Sequence, residues 1–414
     1  MAREFPAPIS HSVQSNESLV RLQKFGPYLT NRGHPPSTTQ TYIRCAEHFE
    51  CWFATHCVEA INEGVVARFL KDHLPCCSCS PPRRRSYKDV RAALRHYLAV
   101  LRKLDLIPPL QPLPLSAVEK EVKDFEQYLI QTCGVALETR IYRVRYVREF
   151  LADRYGAGPV TPQSLQPGEI MKFLAERAAR CKPGTAKVIS VSVRSYLRFL
   201  VLRGILNNRM MAAVPTIPQW RMSSLPKVLL ASELDQLLTS FNVSIPEGRR
   251  DYAMVLCMAE LGLRTCEVVQ LRLNDINWRE GTIRIIGKKS HRERILPLTS
   301  VLGNAIAKYL KVDRAKGNEP ALFLRHRAPA GIPVTSHIVR GAVRRACARL
   351  GILPPRDGPH TLRHTLATRM LENGVPLTEV ADVLGHETID TTAIYAKVNL
   401  EALGRVAMPW PEVV

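Results

Sequence analysis

Apolar residues recur along most of this chain at the three-and-four spacing of helices packed on one face. Residues 88–102, KDVRAALRHYLAVLR, carry that pattern plainly. The pattern also repeats in the first half, at a period of about 100 residues. Phe25 and Tyr28-Leu29 align with Phe125 and Tyr128-Leu129, and Trp52-Phe53 with Phe150-Leu151. Phe69-Leu70 aligns with Phe173-Leu174, and Tyr97-Leu98 and Leu101 with Tyr196-Leu197 and Leu200. Most of these positions are apolar, so a core is repeated and not a surface. Each copy reads as four or five helices joined by polar turns. The repeat settles one ambiguity. Val188 to Val193 alternates like a strand, but its counterpart in the first copy is helical, so both are expected to be helices.

Residues 272–298 break the helical spacing. Ile276 to Trp278, a turn at Glu280-Gly281 and Thr282 to Ile286 read as paired strands, and Arg294 to Leu298 as a third. Between the copies, Pro108, Pro109, Pro112 and Pro114 form a stiff linker. A second linker, Val214 to Lys227, carries Pro215, Pro218 and Pro226. Helix returns from Leu229, with Ser232 as the expected N-cap ahead of Glu233. The expected domains are 1–112, 113–220 and 221–414.

Charge narrows the partners. Lys plus Arg number 58 against 37 Asp plus Glu, a net +21, which points to a polyanion: nucleic acid or an anionic membrane surface. No apolar run reaches spanning length, and the opening residues MAREFPAPISHS hold no secretory h-region. The 11 cysteines are odd in number and scattered, which argues against a disulfide framework and for a reducing cytoplasm. His73, Cys76, Cys77 and Cys79 cluster, but no second ligand pair stands at zinc-finger spacing. The expectation is a reduced loop without metal.

The chemistry concentrates in residues 360–395. His360 and Arg363 are three apart and share a helix face. His386 follows Leu384-Gly385, a helix-end signal, and Tyr395 sits in a short helical run from Thr391 to Val398. Arginine offers a planar fork for phosphate oxygens, histidine moves protons near neutral pH, and a tyrosine hydroxyl can act as a covalent nucleophile. His360 and His364 are also four apart, as in zinc-protease helices, but Thr361 stands where such proteases carry glutamate. No Walker-type phosphate loop occurs, so ATP is not expected.

His360-Thr361-Leu362-Arg363-His364-Thr365, then Leu384-Gly385-His386, then Tyr395 resembles the signature of the tyrosine recombinases, the phage integrase family. Upstream, Leu261-Gly262-Leu263-Arg264-Thr265-Cys266-Glu267 resembles that family's first-arginine motif. Ile286-Gly287-Lys288 with Arg294 to Leu298 resembles its lysine hairpin. Each motif alone is weak; four in the right order are specific. The resemblance implies a mainly α fold: two helical SAM-like DNA-binding modules, then a mostly helical catalytic domain with a small antiparallel β-sheet. It implies that 113–220 is the core-binding module, and leaves the role of the extra module, 1–112, open.

It also implies roles. Arg264 and Arg363 would clamp the non-bridging oxygens of a scissile phosphate, and Tyr395 would attack phosphorus and leave a 3′-phosphotyrosyl bond. His360 would be the general base or a phosphate donor, and His386 would donate to an oxygen or position the tyrosine. Lys288 would protonate the departing 5′-oxygen. The turn to Arg294 is about one residue longer than the family pattern, so Lys289 competes for that role. Lys289 and Arg292, and the run Arg83-Arg84-Arg85, are candidate DNA contacts; a solvated charge run is the plain alternative for the last. With two arginines in place of Mg²⁺, no cofactor is expected. Expected partners are double-stranded recombination sites, further copies of the chain in a tetramer, and related recombinases. The apolar tail of Leu403, Val406, Met408 and Trp410 would dock on a neighbouring protomer. The outcome would be integration, excision or transposition through a Holliday junction. Two rival readings stand beside it: a type IB topoisomerase-like enzyme, and a catalytically silent DNA-binding protein of the same fold.

Overall fold

Helix starts along the chain show why its segments fold locally. Ser86 and Ser116 lend their hydroxyls to the backbone N–H of Asp89 and Glu119, so that α4 (Tyr87–Lys103) and α5 (Ala117–Gln131) begin on a capped turn with an acidic residue at the positive end. These elements belong to a computed structural model that describes residues 11–56, 60–79, 86–110, 114–218, 226–287, 293–315, 317–351, 358–386, 388 and 391–396. Lys288, Lys289, Arg292, Arg83, Arg84, Arg85 and the tail from 397 lie outside the described residues. No helix among the described residues is long and apolar enough to cross a membrane.

The chain divides into two compact units, Met1–Pro109 with Leu225–Val414, and Leu110–Ser224. The first contains α1 (His11–Asn31), α2 (Pro36–His56), α3 (Glu63–Arg68) and α4, with their own core. The second contains α5, α6 (Leu137–Tyr155), α7 (Pro167–Ala179) and α8 (Pro183–Leu202) around another. Residues 188–193 are helical, inside α8.

The two cores carry the same rings. Phe25 meets Tyr97 edge-on at 5.1 Å, and Phe125 meets Tyr196 edge-on at 5.5 Å. Phe49 crosses Phe69 at 81°, as Phe150 crosses Phe173 at 64°. Trp52 also meets Phe69, at 53°, so burial decides: Phe49 and Glu50 are as buried as Phe150 and Leu151, whereas Phe53 is half-buried, and the partner of Phe150 is Phe49 and not Trp52-Phe53. A shift of three residues leaves a side chain on nearly the same helix face, so the apolar pattern alone could not exclude the wrong register.

Each core also buries a tyrosine hydroxyl, and satisfies it differently. Tyr97 donates to Glu50 on α2, whose carboxylate also accepts from Arg21 on α1 at 2.8 and 2.9 Å. Tyr196 donates to Glu121 on α5 at 3.0 Å.

The remainder of the first unit is built around α10 (Pro246–Leu261). Residues 253 to 259 of α10 are all buried, as expected of a helix covered on every side. Around it lie α9 (Ala231–Thr239), α11 (Thr265–Gln270), α12 (Ser300–Val312), α13 (Ser336–Arg349) and α14 (His360–Glu372). Helix α9 starts at Leu230, whose N–H donates to Glu233 at 2.8 Å. Ser232 lies inside the helix, because the glutamate reaching back to Leu230 closes the turn two residues earlier than a serine cap would. The sheet is antiparallel in the order β1 (Ile276–Asn277), β2 (Thr282–Ile286), β3 (Glu293–Pro297). Alternation buries Ile283, Ile285 and Leu296 and exposes Ile295. Arg294, two residues from Leu296, shares its inward face. Helices α15 (Leu377–Leu384) and α16 (Ala393–Ala396) follow.

Candidate active site

Two helices end on left-handed glycines, and the site is assembled at those ends. Gly262 caps α10 at φ 62°, and Gly385 caps α15 at φ 61°. Both turns are also crowded. A Cβ on Gly262 would lie 2.6 Å from Leu384, and one on Gly385 would lie 2.6 Å from Arg294.

Arg363, from the first turn of α14, is 3% exposed and bridges the two ends. Its Nη1 donates to Gly262 O at 2.6 Å and its Nη2 to Leu384 O. Helix C-termini carry partial negative charge, so these carbonyls suit a guanidinium. Arg264 follows Gly262 by two residues and donates to Gly385 O at 3.4 Å. Both arginines are thus tied to the same pair of helix ends.

Glu267 holds the cations in place. Its buried carboxylate accepts from Arg264 Nη1 at 3.0 Å, from the Arg264 backbone N–H at 2.8 Å and from Arg294 Nη2 at 2.9 Å. Burial alone would raise this carboxyl, but Arg294 and Arg264 outweigh it and hold Glu267 below the usual glutamate range. Arg294 enters from the inner face of β3, and its Nε is buried without a partner among the described residues.

Three guanidiniums around one carboxylate leave the pocket with an excess of positive charge. Burial and then the neighbouring Arg264 lower the Arg363 pKa to about 9. Burial, then Arg363 and Arg264, lower His386 to about 3, so its ring is neutral at pH 7. An anion entering this pocket would relieve both strains.

Tyr395 lies at 2% exposure on α16, among the buried side chains of α14 and α15. Its hydroxyl is 2.8 Å from His364 Nδ1. The His386 ring is parallel to the phenol within 3°, with centroids 6.4 Å apart, and its Nδ1 is 2.6 Å from Thr392 Oγ1. Burial raises the phenol pKa, while Arg363 and Arg264 pull it down.

Arg264, Arg363, His386 and Tyr395 are thus brought together. His360 opens α14 and is exposed. The histidine against the tyrosine is His364, one turn further on. Arg294 and His364 stood in the sequence motifs without a role. The signal for Arg294 was its alternation with Leu296; for His364 it was the four-residue spacing that let it share a face with His360.

Comparison with known proteins gives a consistent result. Residues 227–401 match the phage integrase family. The chain is 36% identical over 397 residues to the putative integrase/recombinase y4rA of Sinorhizobium fredii, covering 95% of this chain and 94% of that protein. It is 33% identical over 286 residues to tyrosine recombinase XerD of Listeria monocytogenes, covering 67% of this chain and 94% of XerD. Among solved structures it is similar to the XerH site-specific recombinase bound to palindromic difH substrate, with a TM-score of 0.55 and 19% identity over 84% of this chain and 95% of that one. At that identity the likeness concerns the fold.

Proposed function

The chain belongs to the phage integrase family, the tyrosine recombinases, and on that premise we propose that it is a site-specific recombinase that cuts and rejoins duplex DNA through a covalent bond to Tyr395. The observation that carries the reading is the electropositive pocket: two guanidiniums, tied to adjoining helix ends, beside a buried phenol. Phosphodiester attack stalls on the negative charge of the phosphate oxygens, and preorganised cations remove that obstacle.

In this mechanism Arg264 and Arg363 bind the two non-bridging oxygens. The Tyr395 oxygen attacks phosphorus, the P–O5′ bond breaks, and the strand is left joined by a 3′-phosphotyrosyl linkage. The phenol proton passes to His364 Nδ1, 2.8 Å away, in the tautomer that leaves this nitrogen unprotonated. His360, at the exposed start of α14, donates to the phosphate. His386, whose Nδ1 is engaged by Thr392, keeps Nε2 for the same purpose. Lys288, or Lys289 beside it, gives a proton to the leaving 5′-oxygen. Attack by a 5′-hydroxyl from a partner strand reverses the step and exchanges strands, so that four protomers on two sites pass through a Holliday junction. Residues 113–220 and 221–414 both bind the duplex, with Lys289, Arg292 and Arg83 to Arg85 on phosphates and the tail on a neighbouring protomer. Extensive likeness to proteins named integrase/recombinase and XerD supports recombination over simple relaxation of DNA.

The test uses duplexes spanning the DNA ends that flank the gene, nicked to trap cleavage. Wild type should give a covalent adduct on a denaturing gel, and Tyr395→Phe should bind the same duplex without one. An adduct of equal yield from Tyr395→Phe would remove the mechanism.

A further inference from the structure

Away from the active site, four metal-binding side chains converge in the N-terminal module. We propose that His48, His73, Cys77 and Cys79 form a structural zinc site. Their ligand atoms all lie within 4.8 Å of one another. His48 Nε2 is 3.2 Å from His73 Nε2 and 3.2 Å from Cys77 Sγ, and Cys79 Sγ is 3.7 Å from His73 Nε2. Tetrahedral zinc with Zn–N near 2.0–2.1 Å and Zn–S near 2.3 Å places N and N about 3.3 Å apart, and N and S about 3.6 Å apart. The N–N distance and the Cys79 N–S distance agree with those values to about 0.1 Å, and the Cys77 N–S distance falls about 0.4 Å inside them, a spread that a bound ion would even out.

Hydrogen bonding explains the cluster poorly. An imidazole nitrogen has one in-plane site, for a proton or for a lone pair. His48 Nε2 has both a nitrogen and a sulfur at 3.2 Å, and a single bond cannot serve both. One central cation serves all four atoms at once. Two thiolates and two imidazoles select zinc among the common metals, and four protein ligands make a closed site with no position for catalysis.

The backbone is shaped to deliver these ligands. His48 is fully buried on α2. After α3 the chain widens into a π-helical turn, Phe69–His73, in which Leu74 N–H reaches back to Phe69 O. His73 closes that turn within reach of His48 on α2, and such turns gather at functional positions. The Cys79 N–H then donates to Cys77 Sγ at 3.4 Å, an orientation suited to a thiolate. Cys76 is exposed, with its Sγ on Asp72 O at 3.0 Å, and takes no part. The reduced, metal-free loop expected from spacing therefore gives way to a four-ligand set. The missing ligand was His48, which lies on another helix, 25 residues before His73. The site would fasten the segment 69–79 to α2 in a module with a small core.

The experiment uses the untagged full-length chain. Elemental analysis should find zinc bound at close to one equivalent. After chelation, cobalt(II) should restore one equivalent of tetrahedral ligand-field absorption with a thiolate charge-transfer band. Cys76→Ser should keep both, and Cys79→Ser should weaken cobalt binding by about tenfold or more. Alkylation followed by mass spectrometry needs no variant: Cys77 and Cys79 should be protected until chelator is added, while Cys76 reacts throughout. The proposal is overturned if folded protein carries no zinc and takes up no cobalt. It is equally overturned if Cys79→Ser binds cobalt as wild type does, or if chelation leaves the reactivity of Cys77 and Cys79 unchanged.

Discussion

Replacing Glu267 with glutamine tests the electrostatic logic of the active site with almost no change of shape. Glu267 is 3% exposed and accepts from both Arg264 and Arg294. An amide presents one acceptor oxygen and turns an NH₂ toward donors, so one guanidinium loses its partner. Breaking a buried ion pair from one side costs about 3–5 kcal/mol, and the retained oxygen argues for the low end, about 3 kcal/mol. At about 2–4 °C per kcal/mol, the melting transition of this unit should fall by about 6 °C or more. Two further consequences separate this account from simple damage to packing. Removing the negative charge leaves the pocket more cationic, so sulfate should stabilise Glu267→Gln more than wild type. The pH dependence has a definite sign. Because the folded pKa of Glu267 is depressed, its contribution is present above the unfolded value of about 4.3 and is lost as pH falls through the lower folded value. The gap between wild type and variant should therefore close in acid. Calorimetry across pH and sulfate measures all three. A variant within 1 °C of wild type, or one equally responsive to sulfate, would refute the reasoning.

Other perturbations have distinct expectations. Gly262→Ala places a Cβ against Leu384 at a φ of 62°, and should cost at least about 1–2 kcal/mol and reduce DNA cleavage, measured by denaturant unfolding and adduct yield. His386 is held neutral, so the stability it contributes is complete above the unfolded pKa of about 6.5 and is lost as pH falls toward a folded value of about 3. Lowering pH from 7 to 5 should therefore destabilise wild type more than His386→Gln, as thermal melts at each pH would register. Sulfate should raise the His386 pKa, followed by NMR of its ring carbons, since an anion offsets Arg363 and Arg264. Tyr196→Phe leaves Glu121 without its phenol donor and should cost about 1–3 kcal/mol in urea unfolding.

Much of this architecture could be read from spacing. Apolar periodicity locates the helices, and the duplicate assigned 188–193 to a helix against its local pattern. The strands are legible because alternation over 276–298 differs from everything around it. What spacing leaves undecided are choices between positions one turn apart. Phe49 and Trp52-Phe53 both suit the inner face of α2, and His360 and His364 both lie on one face of α14, so contacts across helices must decide. Ser232 failed as a cap for a related reason: the local signal was sound, but the Glu233 side chain reached back to Leu230. The role of His48 was illegible because its partners lie on a separate segment.

The tyrosine–glutamate contacts in the two helical cores have an evolutionary consequence. Genes with internal duplications are prone to unequal crossing-over, which would fuse the start of one copy to the end of the other. Joining α1 to α6–α8 would place Arg21 beside Tyr196 with Leu151 where a carboxylate is needed, leaving a cation and a phenol with no acceptor. The reciprocal fusion would set Glu121 against Glu50 around Tyr97 with no arginine, two like charges at one buried spot. Neither hybrid would fold well. With the acid on α2 in one module and on α5 in the other, the two modules cannot exchange halves without losing the buried contact, which would set a barrier to collapse of the repeat into a single copy.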